Sequence, residues 1–448
     1  MVSASFNCQN LSIVFLIQFV IIYMNKCFGG DIMKERHILC IDLKSFFASV
    51  ECIDRGLDPF QVPLVVANPH QGNGAITLAV TPFLKKQGIK GRTRLYDIPK
   101  SISYQIVPPR MNLYVQKSKE VVEIYLDFVA SEDLHVYSID ECFLDITDYL
   151  TMYGKCDEEI AEMILKTIEE KTGLTANCGI GPNMLLAKVA MDLDAKRYKN
   201  GIVKWTYEDV PKKLWNITPL SKMWGIGPRM EENLNILGIY SIGDLAHYDI
   251  HRLKNKYGVM GEELWNHANG IDESCIQDFK KPPKEKSFSH SQVLFKDYNE
   301  VSGKLILREM IEVLCARLRK NHMEGSIVGM GVTYSKTIGG GFYHHMRLDT
   351  PTDCESVILR ACELLFDRYY EELPIRKISI SIGHLTEKVG VQLSIFEDYE
   401  TKKKEDQFHK ALDEVNLKYG KNSILKASSL MPDSTAKERN QKIGGHSS

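Results

Sequence analysis

The chain contains 448 residues, of which 44% are hydrophobic and 25% charged. This length exceeds what one hydrophobic core supports, so roughly two to four domains are expected. The formal net charge of −2 excludes a uniformly basic protein, and any nucleic-acid surface must therefore be local. The 11 cysteines include no Cys-x-x-Cys pair, which argues against a zinc ribbon or a disulfide scaffold and favours a reducing, cytoplasmic location.

The apolar stretch 11–24 precedes every other predicted element. A membrane-spanning helix needs about 20 apolar residues, and this stretch is shorter. The region before it carries no Lys or Arg, which disfavours a secretory signal. We predict that residues 1–32 are an extension upstream of a true start at Met33, with a membrane tether as the other interpretation. No stable membrane partner is expected unless this extension is retained.

A buried strand leads to Asp42, and a helix capped by Ser45 follows it. The run of large and β-branched residues before Asp42 is typical of a strand covered on both faces. A carboxylate at the end of a buried strand is costly without a cation, and the sequence places no Lys or Arg obviously beside it. A bound metal ion would meet this need.

Asp140 and Glu141 lie at the tip of a predicted β-hairpin. Adjacent residues of a regular strand face opposite ways, but a tip lets both side chains point into one cavity. With Asp42 they would form three carboxylates whose repulsion divalent cations relieve, and Mg²⁺ binds carboxylates together with phosphates. Two such ions support in-line phosphoryl transfer. The ordinary alternative is acids in a hairpin turn and at a helix N-terminus.

Alternating strands and helices predict an α+β domain that ends near residue 205. Short helices separated by glycines then follow from 214 to 278. Within them, Gly225-Ile-Gly227 predicts a helix-hairpin-helix element whose turn presents backbone amides to a phosphate. A glycine-rich turn that merely joins two helices is the alternative.

The proline pair Pro282-Pro283 is typical of a linker, and a second α+β domain is predicted after it. Its strands and helices are predicted from residue 287 to residue 385. The chain turns polar after Phe396, and the residues beyond Lys421 are predicted to be poorly ordered.

These motifs, in this order, resemble those of the Y-family DNA polymerases. The resemblance is strongest to the UmuC-type translesion polymerases, with the DinB-type (DNA polymerase IV) group as near relatives, and it spans about residues 33–396. The motifs are Asp42-Leu-Lys-Ser-Phe-Phe-Ala-Ser-Val-Glu51, Tyr137-Ser-Ile-Asp140-Glu141, Gly179-Ile-Gly-Pro-Asn183-Met-Leu-Leu-Ala-Lys188 and the Gly-Ile-Gly element.

The resemblance implies an α+β fold shaped like a right hand, with palm, fingers, helical thumb and an α+β little-finger domain. The implied palm is 33–213, with fingers inserted at about 48–105. The thumb is 214–280 and the little finger 281–396. The remaining residues, 397–448, are expected to form a polar, partly disordered tail.

The family motifs also imply site residues. Asp42 and Asp140 would hold two Mg²⁺ ions, Glu141 would complete one metal site, and the carbonyl of Leu43 would be a further ligand. Asp140 and Glu141 are the implied catalytic acids. Phe47 falls at the steric-gate position, where an aromatic ring rejects a ribose 2′-hydroxyl, with plain core packing as the alternative.

Two lysines are implied to bind the triphosphate, Lys85 and Lys196. Relatives often have a Tyr and an Arg on the fingers helix, whereas this chain has Pro82 and Lys85 there. Lysine supplies a point charge without the bidentate geometry of arginine. Met184 also stands where a lysine is frequent, and Lys196 matches the palm lysine with a slippage of one residue.

The pentapeptide Gln392-Leu393-Ser394-Ile395-Phe396 resembles the segment by which bacterial proteins bind the sliding clamp (beta). An extended segment could place Leu393 and Phe396 in an apolar groove while Gln392 forms a hydrogen bond at its rim. The alternative is a closing strand of the little finger.

The implied function is template-directed DNA polymerisation in translesion synthesis and DNA damage tolerance. The enzyme would add dNTPs to the primer of a primer-template DNA by two-metal phosphoryl transfer, with low fidelity and no proofreading. Two alternatives stay open: a non-catalytic, clamp-tethered DNA-binding protein that retains the fold, and a palm-type nucleotide cyclase. The helix-hairpin-helix element disfavours the cyclase.

Overall fold

The computed structural model describes residues 36–281, 286–388, 399–444 and 446–447. The chain divides into two compact units, Met1–Lys281 and Pro282–Ser448. The division falls at the proline pair that composition identifies as a linker. The N-terminal extension 1–32 and the segment 392–396, predicted to bind the sliding clamp, lie outside the described residues. None of the described helices is both long and apolar enough to cross a membrane.

The described strands of the first unit form two sheets. The strands are β1 (Ile38–Leu43), β2 (Leu64–Val66), β3 (Ala79–Val80), β4 (Gln105–Val107), β5 (Leu134–Val136), β6 (Glu141–Asp145), β7 (Ala176–Gly181) and β8 (Ile202–Lys204). The central sheet has the order β5-β6-β1-β7-β8, and the small sheet has the order β3-β2-β4. In the central sheet, β1 is antiparallel to both of its neighbours.

Helices cover the sheets and form a separate helical segment after β8. They are α1 (Phe46–Asp54), α2 (Pro82–Lys86), α3 (Met111–Leu126), α4 (Tyr149–Tyr153), α5 (Asp157–Thr172), α6 (Met184–Leu193), α7 (Pro228–Asn235), α8 (Ile242–Ala246), α9 (Ile250–Tyr257) and α10 (Val259–Ala268). The helices α7 to α10 share an apolar core with α6 and the chain between β8 and α7.

Strand β1 is buried on both faces, which explains its continuous apolar run. Leu39 and Ile41 belong to the core that includes α3 and α5, whereas Ile38 and Cys40 pack in a cluster with α6. Because side chains alternate along a strand, Asp42 lies on the same face as Ile38 and Cys40. The carboxylate therefore faces the side of the sheet that α6 covers.

Two glycines of β7 let α6 lie directly on the sheet. A Cβ atom on Gly179 would lie 2.1 Å from the carbonyl oxygen of Ala187, and one on Gly181 would lie 2.5 Å from its amide nitrogen. Both contacts are with helix backbone, which cannot move aside as a flexible side chain can. The close approach brings Lys188, the next residue of α6, to the acidic end of β1 and β6.

We expect Gly179→Ala to destabilise the protein by about 3 kcal/mol, because a methyl group has no room against the α6 backbone. Urea denaturation followed by circular dichroism measures the difference. Gly91→Ala is the matched control, since no atom lies within 4 Å of a Cβ at that position. Equal stability of the two variants would show that the helix can shift without penalty.

The connection from β1 to α1 differs from the sequence prediction. Ser45 precedes α1, but its backbone is left-handed, with φ of 51°, and its side chain forms no capping hydrogen bond. The predicted serine cap is therefore wrong. The physical reason is a sharp turn, because the amides of Leu43 and Lys44 donate to Asp140 and Thr175 on opposite sides of β1.

The second unit is an antiparallel sheet with two helices on one face. It contains β9 (Phe288–Tyr298), α11 (Glu300–Lys320), β10 (Met323–Tyr334), β11 (Gly341–Thr352), α12 (Glu355–Tyr369) and β12 (Ile375–Glu387). The strand order is β11-β10-β12-β9. Buried side chains of the strands and helices form one apolar core.

The described residues of the polar tail contain helices and two short strands. Its described elements are α13 (Tyr399–Tyr419), α14 (Ala436–Asn440), β13 (Lys442–Ile443) and β14 (His446–Ser447). Asp413 of α13 accepts two hydrogen bonds from Arg319 of α11, at 2.7 and 3.0 Å. Thr435 and Arg439 contact the buried carboxylate of Glu309. Composition alone would predict that Asp413 and Arg439 are solvated, but each of them pairs with an opposite charge on α11.

Candidate active site

The register of the central sheet brings the acids of two distant motifs together. Asp42 of β1 pairs directly with Glu141 of β6. Directly paired residues of antiparallel strands project from the same face. The Leu43 amide donates to the Asp140 carbonyl at 2.9 Å, so Asp140 lies at the same end of the sheet. The predicted carboxylates are therefore neighbours in space.

The hairpin tip between β5 and β6 is held by local hydrogen bonds. The amides of Tyr137 and Ser138 both donate to the Glu141 carbonyl at 3.0 Å. The Ser138 hydroxyl also donates to Oδ1 of Asp140 at 2.7 Å. These bonds restrict the tip that carries both acids.

The pKa of Asp42 reflects its burial and the charged side chains around it. Burial, together with the negative charges of Asp140 and Glu141, raises the pKa of Asp42 to about 7. Lys196 and Lys188 act in the opposite direction. The sequence offered no evident cation for Asp42, but the fold supplies these two lysines.

Glu141 has two donors on one carboxylate oxygen. Lys188 Nζ lies 2.8 Å from Oε1 of Glu141, and the Cys40 thiol donates to the same oxygen at 3.2 Å. Lys188 also pairs with Asp192 at 2.9 Å, and Asp192 lies 3.7 Å from Lys196 Nζ. Burial alone would lower the pKa of Lys188, but the acids around it raise the pKa above its ordinary value.

In the present side-chain conformations, the carboxylate oxygens of Asp42, Asp140 and Glu141 do not all lie close enough together to bind one metal ion. Among the described residues, only Cys156, Asp157 and Glu158 place three potential ligand atoms within 4.8 Å of one another. There Asp157 is already bound by His37 at 2.7 Å and Lys204 at 2.8 Å, so that group is a structural one. At the sheet end, Lys188 and Ser138 each hold an acid by a hydrogen bond.

Phe46 and Phe47 have different environments. Phe46 is 2% exposed and belongs to the core, whereas Phe47 is half-buried. The ring of Phe47 packs against Tyr114, with centroids 4.8 Å apart. Core packing thus accounts for Phe46 and leaves the ring of Phe47 partly open.

A buried carboxylate anchors the helix that carries Phe47. Glu51 of α1 is fully buried and accepts hydrogen bonds from the Tyr114 hydroxyl at 2.6 Å and from Arg110 at 2.7 Å. Arg55 is a further partner. Burial would raise the pKa of Glu51, but these donors lower it below the ordinary value. Both Arg110 and Tyr114 lie more than fifty residues along the chain from Glu51.

The structure places Lys85 within the electric field of the acidic site. Burial lowers the pKa of Lys85 and the charge of Lys196 lowers it further, while Asp42 and Asp140 raise it. Lys85 belongs to α2, where Pro82 is buried and begins the helix. The first residue of α2, where the family resemblance led us to expect a Tyr, is therefore an apolar proline.

The Gly225-Ile-Gly227 turn precedes α7. Gly225 has φ of 90°, a conformation that favours glycine. Within the described residues, the amides of Gly225 and Gly227 donate no hydrogen bond to the backbone. Next to them, the indole of Trp224 donates to the Tyr137 hydroxyl at 3.1 Å, which links this turn to the hairpin that carries Asp140 and Glu141.

Family models match three parts of the chain. The impB/mucB/samB family matches residues 41–192, its C-terminal domain matches 285–395, and the HHH motif of the IMS family matches 207–239. The candidate UV-damage repair protein UvrX of Bacillus subtilis (strain 168) is 41% identical over 420 residues, covering 92% of this chain and 98% of that protein. The chain belongs to the Y-family of DNA polymerases.

Other Y-family relatives carry a polymerase name. DNA polymerase IV 2 of Bacillus subtilis (strain 168) is 33% identical over 422 residues, covering 92% of this chain and 99% of the relative. DNA polymerase IV of Pelotomaculum thermopropionicum is 30% identical over 409 residues, covering 90% and 97%. The enzyme class is thus DNA-directed DNA polymerase.

A solved structure agrees with the fold of this Y-family member. A chimeric Y-family DNA polymerase has a TM-score of 0.61 and 20% identity, covering 78% of this chain and 99% of that structure. This likeness confirms the predicted α+β polymerase fold.

Membership of the Y-family implies dependence on a divalent metal, and the residues present fit one. Carboxylate oxygens are the ligands that Mg²⁺ prefers. Asp42 has a pKa of about 7 because it is buried beside Asp140 and Glu141, and a cation would stabilise its charged form. Oε2 of Glu141 forms no hydrogen bond or ion pair with the described residues.

Proposed function

We propose that this chain extends primers past damaged template bases in DNA damage tolerance, acting in the cytoplasm. One observation carries the proposal, namely the direct pairing of Asp42 with Glu141 beside Asp140. In the proposed reaction, the primer 3′-hydroxyl oxygen attacks the α-phosphorus of a dNTP, and pyrophosphate leaves. No residue of the chain forms a covalent intermediate.

Asp42, Asp140 and Glu141, with the carbonyl of Leu43, would hold two Mg²⁺ ions. When bound, these ions would supply Lewis-acid activation of the 3′-hydroxyl and neutralise charge on the phosphates. The register of β1 and β6 supports this assignment because it makes Asp42 and Glu141 direct neighbours on one face of the sheet. The carboxylates would turn towards the ions on binding, because their ligand atoms do not all converge as the side chains stand.

Lys85 and Lys196 are proposed to bind the triphosphate. Lys196 lowers the pKa of Asp42, and Asp42 and Asp140 raise the pKa of Lys85, so both lysines feel the charge of the acidic site. Each would bind the triphosphate as a point charge and not with the bidentate geometry of arginine. Because Pro82 is apolar, these lysines carry more of the binding than they would beside a Tyr and an Arg. Phe47 is proposed to close the site against a 2′-hydroxyl.

The backbone of Gly225 and Gly227 is proposed to bind a DNA phosphate. Their amides have no backbone acceptor among the described residues, and a helix begins directly after them. Contacts of this kind hold DNA without reading its sequence. Low fidelity and the absence of proofreading are part of the proposal.

Primer extension on undamaged and abasic templates tests the proposed function. We expect dNTP incorporation opposite both templates with Mg²⁺. Addition of the bacterial sliding clamp should stimulate the full chain but not a chain that lacks Gln392 to Phe396. Equal stimulation of both chains would refute clamp binding by this segment. No incorporation with either Mg²⁺ or Mn²⁺ would instead favour a non-catalytic DNA-binding protein.

A further inference from the structure

Lys188 lies behind the acidic site and has no role in the reaction as proposed above. Its side chain is 8% exposed and that of Glu141 is 9% exposed, so their 2.8 Å contact is shielded from water. Lys188 is placed by α6, which Gly179 and Gly181 hold against β7. The ion pair between Lys188 and Glu141 is therefore buried, and the packing of α6 on β7 fixes its position.

The two oxygens of the Glu141 carboxylate are used differently. Oε1 accepts from both Lys188 and Cys40, whereas Oε2 has no partner among the described residues. A carboxylate with one oxygen saturated by donors presents only the other to a cation. Cys40 is fully buried, so its thiol cannot exchange this acceptor for water.

We propose that Lys188, assisted by Cys40, is a positioning residue that makes Glu141 a one-oxygen metal ligand and moderates the affinity of the site for divalent cations. The inference rests on the proposed metal-binding role of Asp42, Asp140 and Glu141. Lys188 also pairs with Asp192, which lies beside Lys196. A run of alternating charges, Glu141, Lys188, Asp192 and Lys196, thus joins a metal ligand to the lysine proposed to bind the triphosphate.

Removal of the cation has two separable consequences. The site gains one net negative charge, so we expect Lys188→Met to bind Mn²⁺ about fivefold more tightly. Glu141 also becomes free to turn, so the rate of single-turnover extension should fall at least about tenfold. Tighter metal binding combined with slower chemistry is a result that a purely structural lysine would not give.

The experiment measures free Mn²⁺ by electron paramagnetic resonance as it is titrated into the full chain without DNA or dNTP. Lys188→Arg should keep the Mn²⁺ affinity within about twofold of the wild type, because it retains the charge. Lys166→Met is the charge-matched control, since this lysine is exposed and, within the described part of the chain, pairs only with Glu170 of α5. It should leave both readouts unchanged.

If Lys188→Met does not fold, the same two measurements are made on Lys188→Gln. This variant keeps an N–H donor but removes the charge. Unchanged Mn²⁺ affinity in a folded, uncharged variant at position 188 would overturn the inference. The proposed metal site is tested separately, because the wild type should bind Mn²⁺ that Asp140→Ala loses. Absence of that difference would overturn the proposed function rather than the role of Lys188.

Discussion

Asp140→Ala is expected to abolish primer extension, with a fall of at least about 10³-fold in the single-turnover rate. Asp140 is proposed to hold both metal ions, so its loss removes the groups that neutralise charge in the transition state. The affinity for primer-template DNA should change less than about threefold, because the proposed DNA contacts lie at Gly225 and Gly227. Rapid-quench extension and fluorescence anisotropy measure the two quantities.

The matched control is Asp127→Ala, which removes an exposed acid of the same unit. Asp127 pairs with Lys171 at 2.9 Å on the surface, a contact that contributes little to stability. The variant should extend primers at the wild-type rate. Near-normal extension by Asp140→Ala would contradict the proposed site, whereas a folded variant that binds DNA but adds no nucleotide would support it.

The acidic site was predictable because each acid follows a local pattern. A continuous apolar run ends at Asp42, and a hairpin pattern surrounds Asp140 and Glu141. The pairing of Asp42 with Glu141 needs the sheet register, which one sequence does not specify across nearly a hundred residues. The order of the family motifs indicated that these acids share one site, which the hydrophobic periodicity of the sequence could not indicate.

Long-range charge pairs were missed for the same reason. Glu51 stands in the opening motif, yet its donors Arg110 and Tyr114 are separated from it by 59 and 63 residues. The contact between Lys188 and Glu141 also depends on tertiary packing. One signal was available: Lys188, Asp192 and Lys196 recur at a spacing of four, which is typical of ion pairs along one helix face.

Local rules failed where tertiary contacts outweighed them. A serine before a helix is a common cap, but Ser45 is forced into a left-handed turn by hydrogen bonds on both sides of β1. The polar composition after Phe396 likewise gave no sign that Asp413 is paired with Arg319. In both places the local sequence does not reveal the outcome, because the residues that form the deciding contacts lie elsewhere in the chain.

The environment of Phe47 explains how one ring could act on the sugar. Its neighbour Phe46 fills the core, and Tyr114 supports the ring of Phe47 from one side. Tyr114 also donates to the buried Glu51, so the ring and the helix that carries it share one anchor. A ring held in this way would resist displacement by a 2′-hydroxyl, which a mobile side chain would not.

Phe47→Ala is therefore expected to lower the preference for dNTP over the matching rNTP by about 100-fold. Truncation removes the ring that would contact the 2′ position, so incorporation of the rNTP should rise while that of the dNTP changes little. Single-nucleotide incorporation kinetics with each nucleotide give the ratio of kcat/KM values. Phe46→Leu is the control, because a buried, similar-sized substitution should reduce stability by about 1 kcal/mol without changing sugar preference. An unchanged ratio in Phe47→Ala would assign sugar discrimination to another residue.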